Sequence, residues 1–400
     1  MIDLEKQYQE YLNKNIYINM SRGVPDARQL DLSESILDVL RSGNCLKINN
    51  IDYRNYGLLD GIPECKDLFS NILDIPQNNI IIGGNSSLAL MYNAISKSMT
   101  NGVCGSTPWN KLSKVKWLCP VPGYDRHFAI CEYFGIEMIN IPMNEDGPDM
   151  DLVEKYIKDD YVKGIWCVPK YSNPTGITYS DETVRRFAKL RPAAKDFRIY
   201  WDNAYAIHDL YEEKKEHLLN IYSECKKNNN EDIVYIFTST SKITFPGAGI
   251  SAMGASENNK KDMLEQMKVQ TIGYDKINQY RHALFLKDLK NIMKRHADIL
   301  RPKFELVERI FSKELIGFAT WSKPLGGYFI SLNVKGCAKE VVERCKKAGV
   351  ILTNSGATYP YGIDSSNSNI RIAPSSVSLK ELEIALRIIC LSVKLETKQS

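Results

Sequence analysis

Three short segments of this chain place reactive side chains directly after apolar runs. Ser172-Asn173-Pro174-Thr175-Gly176 follows Gly164–Val168, and Asp202-Asn203-Ala204-Tyr205 closes the run that begins at Arg198. Thr238-Ser239-Thr240-Ser241-Lys242 follows Ile233–Phe237. A lysine amine captures carbonyl groups as Schiff bases, and a carboxylate at a strand end can hold a cation. Each segment also has an ordinary reading. Asn-Pro-Thr-Gly is a common turn, an Asp at a strand end often caps a helix, and a Lys after serines is usually solvated. Their order and separation set them apart: 29 residues from Asn173 to Asp202, 3 to Tyr205, and 37 more to Lys242.

The elements that must position these residues alternate along the middle of the chain. Strands are expected at Ile80–Ile82, Val115–Cys119, Glu137–Ile141, Gly164–Val168, Arg198–Trp201, Ile233–Phe237 and Ile250–Met253. Between several of them lie amphipathic segments such as Asp181–Leu190, with Val184, Phe187, Ala188 and Leu190 on one side. This alternation predicts an α/β chain with a mainly parallel sheet covered on both faces. Ligands of such sheets bind beyond the carboxyl ends of the strands, where all three segments fall. Residues 1 to about 45 hold a helix with Leu4, Tyr8, Tyr11 and Leu12 on one face. Beyond about 285 come a long helical stretch, a strand at Gly327–Val334, a helix ending near Ala348, and a last helix opened by the capping box Ser378-Leu379-Lys380-Glu381. The expected organisation is an N-terminal segment (1–45) packed with a smaller α+β domain (286–400), beside a large domain (46–285). The polar run Lys226–Asp232 reads as a surface loop.

Composition removes several classes of function. Hydrophobic residues make up 44% and charged residues 25%, which excludes a largely disordered chain. The net charge, 52 − 48 = +4, is too small a bias to point to nucleic acid or an acidic membrane. MIDLEKQYQEYLNK lacks the apolar core of a secretory signal, and no run approaches the roughly 18 apolar residues of a membrane span. Ten cysteines fall singly, with no C-x-x-C pair, and five histidines are scattered. Reduced thiols in a cytoplasmic protein without a metal site are the expectation.

Taken together and in order, the three segments make the chain resemble the fold-type I pyridoxal-phosphate enzymes, specifically the class I/II aminotransferases. That resemblance implies the PLP-dependent transferase fold, with a mainly parallel seven-stranded sheet in the large domain. It implies pyridoxal 5′-phosphate held as a Schiff base on Lys242, with Asp202 keeping the ring nitrogen protonated. Asn173 and Tyr205 match the pair that hydrogen-bonds the cofactor's phenolic oxygen. Gly83-Gly84-Asn85-Ser86-Ser87, which opens a helix after a strand, suits a phosphate and matches the family's phosphate turn at Gly84, Asn85 and Ser86. Tyr124, in Pro122-Gly123-Tyr124, matches the ring that stacks on the pyridine. Tyr56, in Tyr56-Gly57-Leu58-Leu59-Asp60-Gly61, resembles the tyrosine that reaches a partner subunit's phosphate, which implies a homodimer with shared active sites. Arg371 matches the arginine that binds the substrate α-carboxylate, and Gly23 the loop that closes over the substrate. The resemblance runs from about residue 20 to 390.

One position departs from the family pattern. The arginine expected seven or eight residues beyond the lysine is replaced by Gly249 and Ile250. The phosphate must then rely more on backbone amides, Ser86, Ser239 and Ser241, or on a cation placed elsewhere in the chain. Gly247-Ala248-Gly249 suggests close backbone approach instead of a dinucleotide fingerprint. Phe245-Pro246-Gly247-Ala248-Gly249, with Pro122–Phe128 and Gly356–Gly362, resembles the atypical aspartate aminotransferase subgroup Ic, close to the aminotransferase half of MocR-type regulators. Only some twenty residues precede Ser21-Arg22-Gly23, too few for a winged-helix module. The implied substrates are L-aspartate and 2-oxoglutarate, with Arg126, or alternatively Arg22, for the distal carboxylate. His127 is either a hydrogen-bonding neighbour of the site or a packed histidine. The rivals are an alanine, aromatic or kynurenine aminotransferase, a carbon–sulfur lyase, and a non-catalytic cofactor sensor, for which Arg371 would be superfluous.

Overall fold

The computed structural model describes residues 2–397. Seven strands form its main sheet: β1 Ile80–Ile82, β2 Lys116–Val121, β3 Glu137–Asn144, β4 Val162–Cys167, β5 Arg198–Asp202, β6 Val234–Ser239 and β7 Ser251–Ala255. They lie side by side in the order β1-β7-β6-β5-β4-β2-β3, and a two-residue strand, Gly147–Pro148, is hairpinned onto β3 at the edge. The neighbours from β6 through β5, β4 and β2 to β3 pair in parallel. Only β7 runs against both its neighbours, β6 and β1.

The sequence dictates this burial. Every residue of β1, β4, β5, β6 and β7 is buried, as expected for strands covered on both faces, whereas β3 alternates in part with solvent. Alternate side chains feed two separate cores. Ile80, Ile82, Ile199, Trp201 and Ile236 enter one, and Ile81, Tyr200, Tyr235 and Phe237 enter the other. The helix Asp181–Lys189 is started by Ser180, whose side chain accepts from the Thr183 amide, and it buries Val184, Phe187 and Ala188.

A second, antiparallel sheet joins Ala319–Trp321, Ile330–Val334 and Asn369–Ile372. The helices Leu289–Glu314, Ala338–Lys347 and Leu379–Glu396 share one apolar core with it, contributing Leu300, Phe311, Val341 and Leu386. Tyr8, Ile18 and Met20 from the beginning of the chain join that core, and Ile18–Asn19 pairs in parallel with Val350–Ile351. The Ser378 capping box forms as the sequence predicts.

The polar run Lys226–Asp232 is not wholly loop. Lys226 and Lys227 close the helix Ile221–Lys227, and Glu231–Ile233 makes a 3-10 turn. Asn220 caps that helix, Ile221, Tyr222 and Cys225 are buried, and two lysines in a last turn favour the helix dipole.

Candidate active site

A cavity of about 370 Å³ opens at the carboxyl ends of the main-sheet strands. It collects Gly23, Asn85, Ser86, Tyr124, Arg126, Asn173, Asp202, Tyr205, Ser239, Ser241, Lys242 and Arg371, together with Arg22. Two predicted residues lie outside it. Gly84 is next door, its carbonyl held by Ser251 Oγ at 2.8 Å. Tyr56 is 80% exposed on the outer surface.

Lys242 sits in the tight turn that follows β6. Its Nζ lies 5.0 Å from the centre of the Tyr205 ring and 5.8 Å from that of Tyr328. Enclosure pulls the amine's pKa below the usual lysine value, and the charge of Asp202 only partly restores it. Burial likewise pushes the Tyr205 phenol well up. Tyr124 is raised to about 12 by burial, reinforced by the negative charges of Asp202 and Asp125.

Asp202 ends β5 and is buried. One carboxylate oxygen, Oδ2, lies 3.1 Å from His127 Nε2, while Oδ1 is enclosed without a hydrogen-bond partner among the described residues. His127 belongs to the helix Asp125–Tyr133 and stacks on Trp166 at 4.5 Å with the planes 12° apart. Both alternatives for this histidine therefore hold at once: it is packed, and it bonds the site carboxylate. The unmet oxygen marks where a donor belongs, because a buried unpaired carboxylate oxygen is costly.

At the other end of the cavity the helix Ser87–Asn101 begins at Ser86, whose side chain makes no capping bond and is left free for a ligand. Ser241 Oγ donates to the Asn85 carbonyl at 3.1 Å and Ser239 Oγ lies 2.9 Å from Ser241 Oγ, so four neutral polar residues border one helix N-terminus. No arginine fits where the family pattern places one. A Cβ on Gly249 would lie 2.9 Å from Thr240 Oγ1 and 3.1 Å from the Phe245 carbonyl oxygen, and Ile250 is packed in the core. Gly247 meets nothing within 4 Å, so close approach is a property of Gly249 and not of the whole glycine pair.

Arg371 comes from the small sheet and is 5% exposed. Its Nε donates to Thr353 Oγ1 at 3.2 Å, and its Nη1 to Asp125 Oδ1 at 2.8 Å and Asn173 Oδ1 at 3.3 Å. The Phe329 ring faces the guanidinium at 5.1 Å. Gly23 packs on the same ring: a Cβ there would fall 2.5 Å from Phe329 Cζ. Its segment is tied down by Thr353 Oγ1 on the Ser21 carbonyl, Ser375 Oγ on the Val24 carbonyl, and a buried ion pair from Lys303 to Asp26. Arg22 and Arg126 have no ion pair among the described residues.

An enclosed low-pKa amine, a buried unmet carboxylate oxygen and a neutral cradle at a helix N-terminus fit pyridoxal 5′-phosphate, which offers a carbonyl, a ring nitrogen and a phosphate. Among the described residues no cluster of three His, Cys, Asp or Glu could hold a metal ion.

Comparisons with known proteins agree with this geometry. The aspartate amino-transferase family model matches residues 1–400. An aspartate aminotransferase of Corynebacterium glutamicum is 43% identical over 391 residues, spanning 96% of this chain and 90% of that protein. The crystal structure of an aspartate transaminase from the same species superposes with a TM-score of 0.96 at 41% identity, covering 99% of this chain and 95% of that one. LysN, an α-aminoadipate aminotransferase of Thermus thermophilus complexed with N-(5′-phosphopyridoxyl)-L-leucine, shares the fold at a TM-score of 0.78 and 15% identity, covering 99% of this chain and 96% of that one. The chain is thus an aminotransferase of the fold-type I pyridoxal-phosphate class and belongs to the aspartate amino-transferase family.

Proposed function

We propose that this protein uses pyridoxal 5′-phosphate to interconvert L-aspartate and 2-oxoglutarate with oxaloacetate and L-glutamate. The observation that carries the reading is the meeting, in one cavity, of the enclosed Lys242 amine, the unmet Asp202 Oδ1 and the Arg371 guanidinium. When bound, the cofactor supplies a carbonyl for a lysine amine and a ring that takes up the electron pair of the substrate's Cα–H bond.

The chain's own residues do the rest. Asp202 would hold the ring nitrogen through its unmet Oδ1, while His127 holds Oδ2. Asn173 and Tyr205 hydrogen-bond the phenolic oxygen, and Tyr124 covers the ring. Asn85, Ser86, Ser239 and Ser241 hold the phosphate with neutral donors, with Gly84 shaping the turn. Arg371 binds the α-carboxylate of the amino acid or 2-oxo acid. Lys242 would move the proton at the substrate α-carbon, and its enclosure favours the neutral amine that this needs. The segment bearing Gly23 closes the cavity against water.

The aspartate assignment rests on a second cation for the distal carboxylate. Arg126 borders the cavity, is exposed and carries no ion pair among the described residues, and the same holds for the alternative, Arg22. Tyr56, with Ile272 and Val269 also exposed and Gly273 packed on the Gly57 backbone, supports a homodimer in which Tyr56 reaches the partner's phosphate. The division at about 45 and 285 belongs to the same reading, supported by the core that both chain ends share. No helix of the described residues is long and apolar enough to cross a membrane, and a cytoplasmic location completes the proposal.

The test mixes cofactor-loaded protein with L-aspartate alone and follows the visible absorbance of the bound cofactor. Bleaching, appearance of oxaloacetate and recovery on adding 2-oxoglutarate are expected. Bleaching by another amino acid only would overturn the substrate, and Arg126→Met with an unchanged KM for aspartate would remove that arginine's role.

A further inference from the structure

Arg371 is buried and its planar guanidinium is held in place on several sides. Phe329 covers its face, Thr353 takes Nε, and Nη1 is shared by Asn173 and Asp125. Nη2 has no partner among the described residues. A ligand carboxylate gripped by the two-pronged end of the fork needs Nη1 and Nη2 together, and Asp125 stands on the first of these at 2.8 Å. Two carboxylates on one prong repel, so the ligand and Asp125 compete for it.

We propose that Asp125 is an anion gate: its carboxylate occupies Arg371 while the site is empty and leaves when a substrate carboxylate arrives. This rests on the reading of Arg371 as the α-carboxylate site. The geometry gives Asp125 somewhere to go. Its side chain is 32% exposed at the cavity mouth, whereas that of Arg371 is 5% exposed. Asp125 is the first residue of the helix Asp125–Tyr133, whose N-cap, Tyr124, supplies no side-chain bond to the first-turn amides. A carboxylate released there stays at the positive end of the helix.

The gate has a consequence for ligand choice. Binding exchanges one ion pair at Arg371 for another, so that contact adds little net affinity. Selection shifts to what the rest of the ligand touches, including a second carboxylate near Arg126. A ligand with one carboxylate meets the same exchange as a ligand with two, but has no second contact to add to it.

Calorimetric titration of cofactor-loaded protein with maleate and with acetate, neither of which can be transaminated, tests this. Asp125→Asn is expected to bind both about ten-fold more tightly than the wild type, one charge-assisted pair having been freed. Asp125→Ser, which removes the charge with a smaller side chain, should do the same. The gain should vanish when Arg371→Ala is added, and the KM for L-aspartate should fall in Asp125→Asn. Unchanged or weaker anion binding in both variants, or a gain that survives Arg371→Ala, would overturn the gate. Since the titration needs no turnover, its failure is separable from failure of the aspartate assignment.

Discussion

The buried ion pair between Lys303 and Asp26 gives the strongest prediction about stability, because it ties the segment carrying Gly23 to the long helix Leu289–Glu314. Lys303 is fully buried, with Nζ 2.5 Å from Asp26 Oδ2 and a second bond to the Ser375 carbonyl. Lys303→Met leaves a nearly buried carboxylate whose remaining cation, Arg28, is 57% exposed. Breaking one side of such a pair costs about 3–5 kcal/mol. Asp26→Asn/Lys303→Met removes both charges, and Asn can still cap the Arg28 amide, so the double variant should regain at least about 1 kcal/mol over the single. The pair also predicts acid sensitivity. Burial pushes the Asp26 pKa up, but hydrogen bonds from Arg28 and Lys303 outweigh it and leave the group at about 2, against an ordinary 3.8. A depressed folded pKa contributes stability that is whole above about pH 4 and lost as pH falls toward 2, here about 2 kcal/mol. Urea midpoints of the wild type, Lys303→Met and the double variant at pH 7 and at pH 3, with the KM for aspartate, measure all of this. A double variant no more stable than Lys303→Met would refute the reasoning, since the cost would then lie in packing and not in the stranded charge.

Three further outcomes follow from the site. Lys242→Ala should abolish turnover, and normal turnover in that variant would sink the assignment. His127→Phe keeps a ring over Trp166 but frees Asp202 Oδ2, so kcat should fall by about 10–100-fold with the fold intact by circular dichroism; an unchanged kcat would reduce the histidine to packing. Tyr56→Ala and Lys242→Ala chains, each impaired alone, should regain up to about a quarter of wild-type activity when refolded together at equal amounts. Random pairing puts half the chains into mixed dimers with one intact site each. No recovery would argue against a tyrosine shared between subunits.

What the sequence made legible was whatever is written locally. The seven strands follow continuous apolar runs, and Asp202, Ser239 and Lys242 could be placed at or beyond their carboxyl ends because strand direction fixes where a sheet presents its residues. The contacts that tune those residues are not local. Asp125 meets Arg371 across 246 positions, and Lys303 meets Asp26 across 277. Nothing near Asp125 distinguishes it from any acid favoured in a first helical turn, and nothing near Lys303 separates it from the solvated lysines of its helix. His127 carried a faint signal, being three residues beyond Tyr124 and thus one helical turn further along the same face as a residue already assigned to the site. Gly249 is the instructive intermediate case. Its sequence position showed that the phosphate arginine was missing, but only the 2.9 Å approach of Thr240 Oγ1 explains why no side chain could return there without moving the turn that carries Lys242. That tight fold-back after β6 is why the proposed phosphate site draws on backbone and hydroxyl donors.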